Sequence, residues 1–129
     1  MRGEEDAKRA LFEVTIGIDE TLYQSNVKIR CKEAFASIIY DITQIAGGCM
    51  YTSELYNGTW KKDDHEDEKN QCFVLKVGVY FHERETFYDK CSTVLQLNIL
   101  KYDIPVEYIQ VYEVMANAKH IQISRNPIK

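Results

Sequence analysis

The sequence predicts an α+β two-layer sandwich in ferredoxin-like βαββαβ order, with a four-stranded antiparallel sheet and two helices on one face. Three observations predict it. Apolar residues alternate with polar ones over 12–18 and 71–81, as in strands with one covered face. Apolar stripes spaced by three or four mark helices over 31–46 and about 84–98. The patterned segments follow one another as strand, helix, strand, strand, helix, strand.

Each element has its own justification. In the first strand, Phe12, Val14, Ile16 and Ile18 alternate with Glu13, Thr15 and Gly17. Gly17 reads as close backbone packing or a kink. A polar connection runs from Asp19 and Glu20 to Asn26, and Val27 and Ile29 read as a short extended pair before the first helix. That helix carries Cys31, Phe35, Ile38, Ile42 and Ile45 on the side meant for the sheet and stops at Gly47-Gly48. The second strand, 49–55, is rich in Tyr and Thr, and the third places Phe73, Leu75, Val77, Val79 and Phe81 on one face. Asn57-Gly58 is a turn signal, yet the charged run over 61–70 favours a second strand continuing through Trp60 over a wide exposed hairpin. The second helix points Phe87, Cys91, Val94 and Leu95 inward. Asp103, Ile104 and Pro105 then turn the chain into a last strand over 107–115.

With 129 residues, 45% of them apolar, the chain reads as a single domain over 1–129. Its core is expected over 11–116, an acidic hairpin over 61–70 and a C-terminal extension over 117–129. Within that extension, from Ala118 to Ser124, Ile121 and Ile123 alternate with polar residues in the pattern of a fifth strand. The net charge of -4 is uneven: 1–68 hold 14 acidic and 8 basic residues, whereas 69–129 hold 6 and 8. Polymeric nucleic acid is therefore a disfavoured partner. No apolar run approaches the roughly 20 residues of a membrane span, and the opening MRGEEDAKRALFEV lacks a secretory core. A cytoplasmic protein with no membrane partner is expected.

Motifs for chemistry are sparse. Cys31, Cys49, Cys72 and Cys91 are widely spaced without a C-x-x-C pair, which suits small buried hydrophobes better than a zinc site. Gly47-Gly48 follows a helix and precedes a strand, the reverse of a pyrophosphate loop. No G-x-S-x-G elbow occurs, and no cysteine has a neighbouring histidine placed as a base. His65 lies among Asp63, Asp64, Glu66, Asp67 and Glu68; these could gather a hard cation, but a solvated acidic loop is the favoured reading. The expectation is a protein that is not an enzyme and uses neither cofactor nor metal.

The uncovered sheet face would carry Glu13, Thr15, Gly17, Lys76, Gly78, Tyr80, Gln110 and Tyr112. It is either solvated or covered by a second subunit, and a homo-oligomer is the expectation. His82 reads as a cap or surface residue, whereas Arg84, beside a helix N-terminus, is placed to hold an anion. Lys28, Arg30 and Lys32 form a second basic group. Brought across subunits beside Tyr56, Asn57 and Trp60, they would make an aromatic, positively charged pocket for the phosphates and base of a small nucleotide. For Trp60 the alternative is a structural anchor of the hairpin.

The stretches VTIGID (14–19), the glycine pair at 47–48, ELYNGTW (54–60) and FVLKVGVYF (73–81) together resemble the phage proteins that antagonise Thoeris immunity by sequestering its cyclic ADP-ribose-type signal. The resemblance covers roughly 12–115, and the DDHEDE tract lengthens the hairpin beyond that pattern. It implies a small oligomeric sponge in the host cytoplasm that binds the signalling nucleotide without hydrolysing it. Trp60 followed by Glu66 and Glu68 is also similar to the hairpin of the CutA divalent-cation-tolerance proteins, which implies a trimer with a metal-linked role. A third class is an interaction protein that inhibits its target by docking through the open sheet face.

Overall fold

The computed structural model describes residues 8–62 and 66–117. Strand β1 (Lys8–Asp19) leads through a turn into helix α1 (Ser25–Ala46). Strands β2 (Met50–Tyr51), β3 (Tyr56–Lys62) and β4 (Glu66–Tyr80) follow. A 3₁₀ turn (Phe81–Glu83), helix α2 (Arg84–Tyr102) and strand β5 (Val106–Asn117) complete the order.

The sheet is antiparallel, with β1 between β5 and β4. Both β2 and β3 pair with β4: Met50 and Tyr51 oppose Lys76 and Leu75, and Tyr56–Lys62 oppose Cys72 down to Glu66. The lanes are those of the ferredoxin-like arrangement, but the sheet has five strands rather than four. The expected second strand does continue through Trp60, after an interruption. Thr52 still donates its N–H to the Val74 carbonyl (3.1 Å), and Val74 N–H reaches Thr52 Oγ1 at 3.4 Å. Ser53 and Glu54 then leave the ladder, and Leu55 tucks against the core.

One local reading is corrected. Val27 and Ile29 lie inside α1, which begins six residues before the expected 31 because the turn ahead of it is closed locally. Asp19 Oδ1 accepts from the Thr21 N–H (2.8 Å) and hydroxyl (2.6 Å), leaving the chain free to start its helix at Ser25. Asn57-Gly58 follows the favoured reading of a continued strand: the two residues pair with Gln71 and Asn70 within the β3–β4 ladder. The strand pattern at 118–124 and the acidic residues 63–65 lie outside the described residues.

The core fills the space between the sheet and the helices. Ala10, Phe12, Val14, Ile16 and Ile18 of β1 and Phe73, Leu75, Val77 and Val79 of β4 face Cys31, Phe35, Ile38 and Ile42 of α1 and Phe87, Cys91 and Leu95 of α2. α1 ends where Gly47 takes φ 83°, a left-handed cap whose N–H bonds to the Thr43 carbonyl. The helices are joined by a buried polar contact. Asn98 Nδ2 donates to Asp41 Oδ2 (3.0 Å) and to the Val94 carbonyl (2.9 Å). Cys31, Cys72 and Cys91 are buried free thiols and Cys49 is half-buried. Burial pushes Cys31 and Cys91 up to about 11, well above an ordinary thiol.

Candidate functional site

The interruption between β2 and β3 opens a groove of about 710 Å³ against α1. Its base is apolar, with the buried rings of Phe35 and Phe73 stacked at 4.3 Å. Tyr23 and Tyr51 stand along it, and Thr52, Ser53 and Gln71 add hydroxyl and amide groups. Lys28 and Lys32 come from one face of α1 because a spacing of four brings side chains together on a helix. Lys28 Nζ lies 5.6 Å from the centre of the Tyr23 ring. Burial, with a further contribution from Cys31, raises the Tyr23 phenol above its ordinary range, so it stays neutral. Glu54 is the acid in the lining. An apolar base for a ring, two ammonium groups and several hydrogen-bonding groups suit a phosphorylated aromatic ligand, and the size lies within the usual range for small-molecule sites.

The residues expected to share one pocket are distributed over the molecule. Lys28 lines the groove, and Asn57 is beside it, its Oδ1 accepting from Gln71 Nε2 at 2.6 Å. Tyr56 and Trp60 project from the opposite side of β3, since residues of a strand alternate between faces and these two oppose Cys72 and Glu68. Arg30 ties down the end of α2: its Nε donates to the Tyr102 carbonyl (3.2 Å) and its Nη2 to the Asp103 carbonyl (3.1 Å). Arg84 donates to the Phe81 carbonyl (3.0 Å), stacks over the Phe81 ring at 4.1 Å and sits 3.7 Å from Glu113. Arg84 touches Glu113, which pairs with Phe12 and so lies level with Val77 of β4, whereas Trp60 opposes Glu68, a separation of roughly 30 Å at about 3.3 Å per residue. Within one chain, Arg84 and Trp60 therefore cannot touch the same small ligand.

On the open face, Tyr108 lies over Gly17. A Cβ on Gly17 would meet its Cε1 at 2.2 Å, so Gly17 marks close packing, one of its two sequence readings. The Tyr108 hydroxyl shares a 3.1 Å hydrogen bond with Cys72 Sγ, and its ring meets Trp60 edge-on at 5.8 Å. Desolvation first, and then the Cys72 contact, push the Tyr108 phenol up to about 12. Trp60 thus does anchor packing, though 44% of its surface remains exposed. The far half of this face is different: Leu11, Tyr80, Tyr112 and Val114 are all exposed there. A cleft of about 210 Å³ between α2 and β5 is lined by Phe12, Cys91, Leu95 and Ile109, with no charged side chain to orient a ligand.

Sequence reasoning grouped Lys28 with Lys32 but missed the groove they line, and with it Tyr23, Tyr51 and the hydroxyls of Thr52 and Ser53. The available signal was Ser53-Glu54, a pair of poor strand formers inside a Tyr- and Thr-rich run. Among the described residues, no group of His, Cys, Asp and Glu could hold a metal ion. Among the described residues, no helix is long and apolar enough to cross a membrane.

Compared with known proteins, the chain matches no family model and no curated sequence. Solved structures similar to it include a dimeric ferredoxin-like protein from an uncultured marine organism, at 12% identity and a TM-score of 0.46, over 92% of this chain and 96% of that one. A phage SAM lyase in its apo state is similar at 12% identity and a TM-score of 0.46, over 95% and 98% of the two chains. A phage SAM lyase in complex with S-methyl-5'-thioadenosine is similar at 10% identity and a TM-score of 0.45, over 90% and 95%. These likenesses lie in the arrangement of elements and assign no residue a role.

Proposed function

We propose that this protein binds a small phosphorylated nucleotide in the α1 groove and holds it without turnover, as a phage anti-defence sponge for a cyclic ADP-ribose-type signal. The observation that carries the reading is the juxtaposition of Lys28 and Lys32 with Tyr23 and Tyr51 over an apolar base, in a groove of about 710 Å³. The lysines would meet phosphate oxygens, a tyrosine ring would stack with the base, and Gln71, oriented by Asn57, would bond a ribose or base edge. The signal's identity comes from the resemblance of the VTIGID and ELYNGTW stretches; the groove supports the chemical class. Calorimetry against cyclic ADP-ribose isomers and cyclic dinucleotides, followed by chromatography of the released ligand, tests it. Saturable binding with ligand recovered intact is expected. No binding at high micromolar ligand defeats the reading, and altered ligand would make the protein an enzyme.

Self-association through the open face belongs to the same proposal. Tyr112 (56% exposed), Tyr80, Leu11 and Val114 form one uncovered apolar surface, and the neighbouring pair Glu13 and Lys76 offers opposite charges to a two-fold related copy. In such an assembly Trp60, Tyr56 or Arg84 would reach a ligand only from a second subunit. Light scattering across a dilution series should give a mass above 15.1 kDa, and Tyr112→Asp should return it to that value. A wild-type protein that stays at the monomer mass at high micromolar concentration removes the shared surface.

A further inference from the structure

On the side of the β3–β4 hairpin away from the groove, Trp60, Glu68, Asn70, Tyr108 and Gln110 line a small pocket of about 110 Å³. Asn70 is 1% exposed, yet its Oδ1 is buried with no hydrogen-bond partner. Its Nδ2 donates to Glu107 Oε2 at 2.7 Å, which fixes the amide: turning it over would set its oxygen against a carboxylate. The buried group is therefore an acceptor that lacks a donor, an arrangement that costs stability unless something supplies an N–H or O–H.

The surroundings select the kind of donor. Glu68 lines the pocket and Glu107 adjoins it through Asn70, so the local field favours a positive charge. Trp60 and Tyr108, edge to face at 5.8 Å, supply ring surface of the kind that attracts cations. The volume equals the liquid share of three or four waters at about 30 Å³ each, room for an ammonium group and its first carbons but not for a nucleotide. We infer that this pocket is a binding site for a compact alkylammonium group, held by Asn70 Oδ1 and Glu68 against the rings of Trp60 and Tyr108. The site is independent of the groove, from which β3 and β4 separate it.

The test is NMR titration of the full chain with n-butylammonium chloride, using n-butanol and sodium chloride as controls. A saturable shift of the Asn70 side-chain amide and the Trp60 indole N–H is expected with the amine alone. Asn70→Leu should weaken binding tenfold or more. Should that variant not fold, Glu68→Gln, at a less buried residue, should weaken it severalfold while the spectrum stays dispersed. A lysine-containing peptide compared with free butylammonium distinguishes a partner's side chain from a free amine, and saturation by either supports the site. Equal shifts with butanol, the absence of saturation (a pocket holding water only), or unchanged affinity in both variants would overturn it.

Discussion

The two sides of the β3–β4 hairpin have opposite characters although they share a backbone. Toward α1, Asn57 and Gln71 border a groove with two lysines; toward the open face, Trp60, Asn70 and Glu68 meet Tyr108 in an acidic, aromatic pocket. A strand sends successive side chains to opposite faces, so Tyr56, Asn57 and Trp60, close neighbours in sequence, are divided between the two. The difference teaches that a compact motif on a strand is two half-motifs, each to be combined with whatever element covers its face.

The sharpest way to break this comparison is to remove the groove's charge. Replacing Lys28 and Lys32 together by alanine should lower affinity for a phosphorylated nucleotide by about 10- to 100-fold, since a hydrogen bond to a charged group contributes roughly 1.5–3 kcal/mol. Trp60→Ala, on the other side of the sheet, should leave that affinity within about twofold, as expected for distant sites. Calorimetry on the wild type, these two variants and Arg84→Ala decides. If Trp60→Ala or Arg84→Ala abolishes binding while the double-lysine variant binds normally, the ligand sits between subunits and the groove is not its site.

The limits of reading the sequence follow from the same division. Element types and core stripes were legible because burial imposes periods of two and 3.6: Phe12 to Ile18 and Cys31 to Ile42 face one another as their spacing predicts. The site was less legible because its groove depends on a two-residue departure from pairing at Ser53-Glu54, whose consequence is set by α1, distant in sequence. Lys28 and Lys32 were legible as a basic pair four residues apart, but their meeting with Tyr51 is tertiary. Arg30 and Arg84 looked available because sequence does not show the carbonyls of Tyr102, Asp103 and Phe81 that accept their donors.

A second perturbation addresses the open side alone. Gly17→Ala would place a Cβ 2.2 Å from Tyr108 Cε1, and the ring cannot move off freely while it bonds Cys72 and abuts Trp60. Overpacking of this kind costs about 1–3 kcal/mol. Urea denaturation should show that loss, and Trp60 fluorescence should change with the displaced ring, while nucleotide affinity in the groove is kept. An unchanged unfolding midpoint would mean that Tyr108 packs loosely and that the pocket beside it has no fixed wall.

The smallest effect expected is a change in how stability responds to alkali. Tyr108 is pushed up to about 12 from an ordinary 10.0, because burial and its bond with Cys72 favour the neutral phenol. The unfolded chain therefore releases this proton at lower pH than the folded one. Between those values the folded state binds more protons, so stability falls as pH rises; the contribution is whole below about 10 and is lost by about 12. Cys31 and Cys91, raised from 9.0 to about 11 by burial, act in the same direction over an earlier window, and Tyr23 adds to it from the groove side. Tyr108→Phe should cost some stability at neutral pH through the lost contact with Cys72. Its urea midpoint should nevertheless decline less steeply than that of the wild type above about pH 10, with both declining alike between about 9 and 10, where the thiols dominate. Two curves that stay parallel up to about pH 11.5 would show that the Tyr108 hydroxyl is no more protected than a tyrosine on the surface, and the open-side pocket would lose the desolvated wall that sets it apart from the groove.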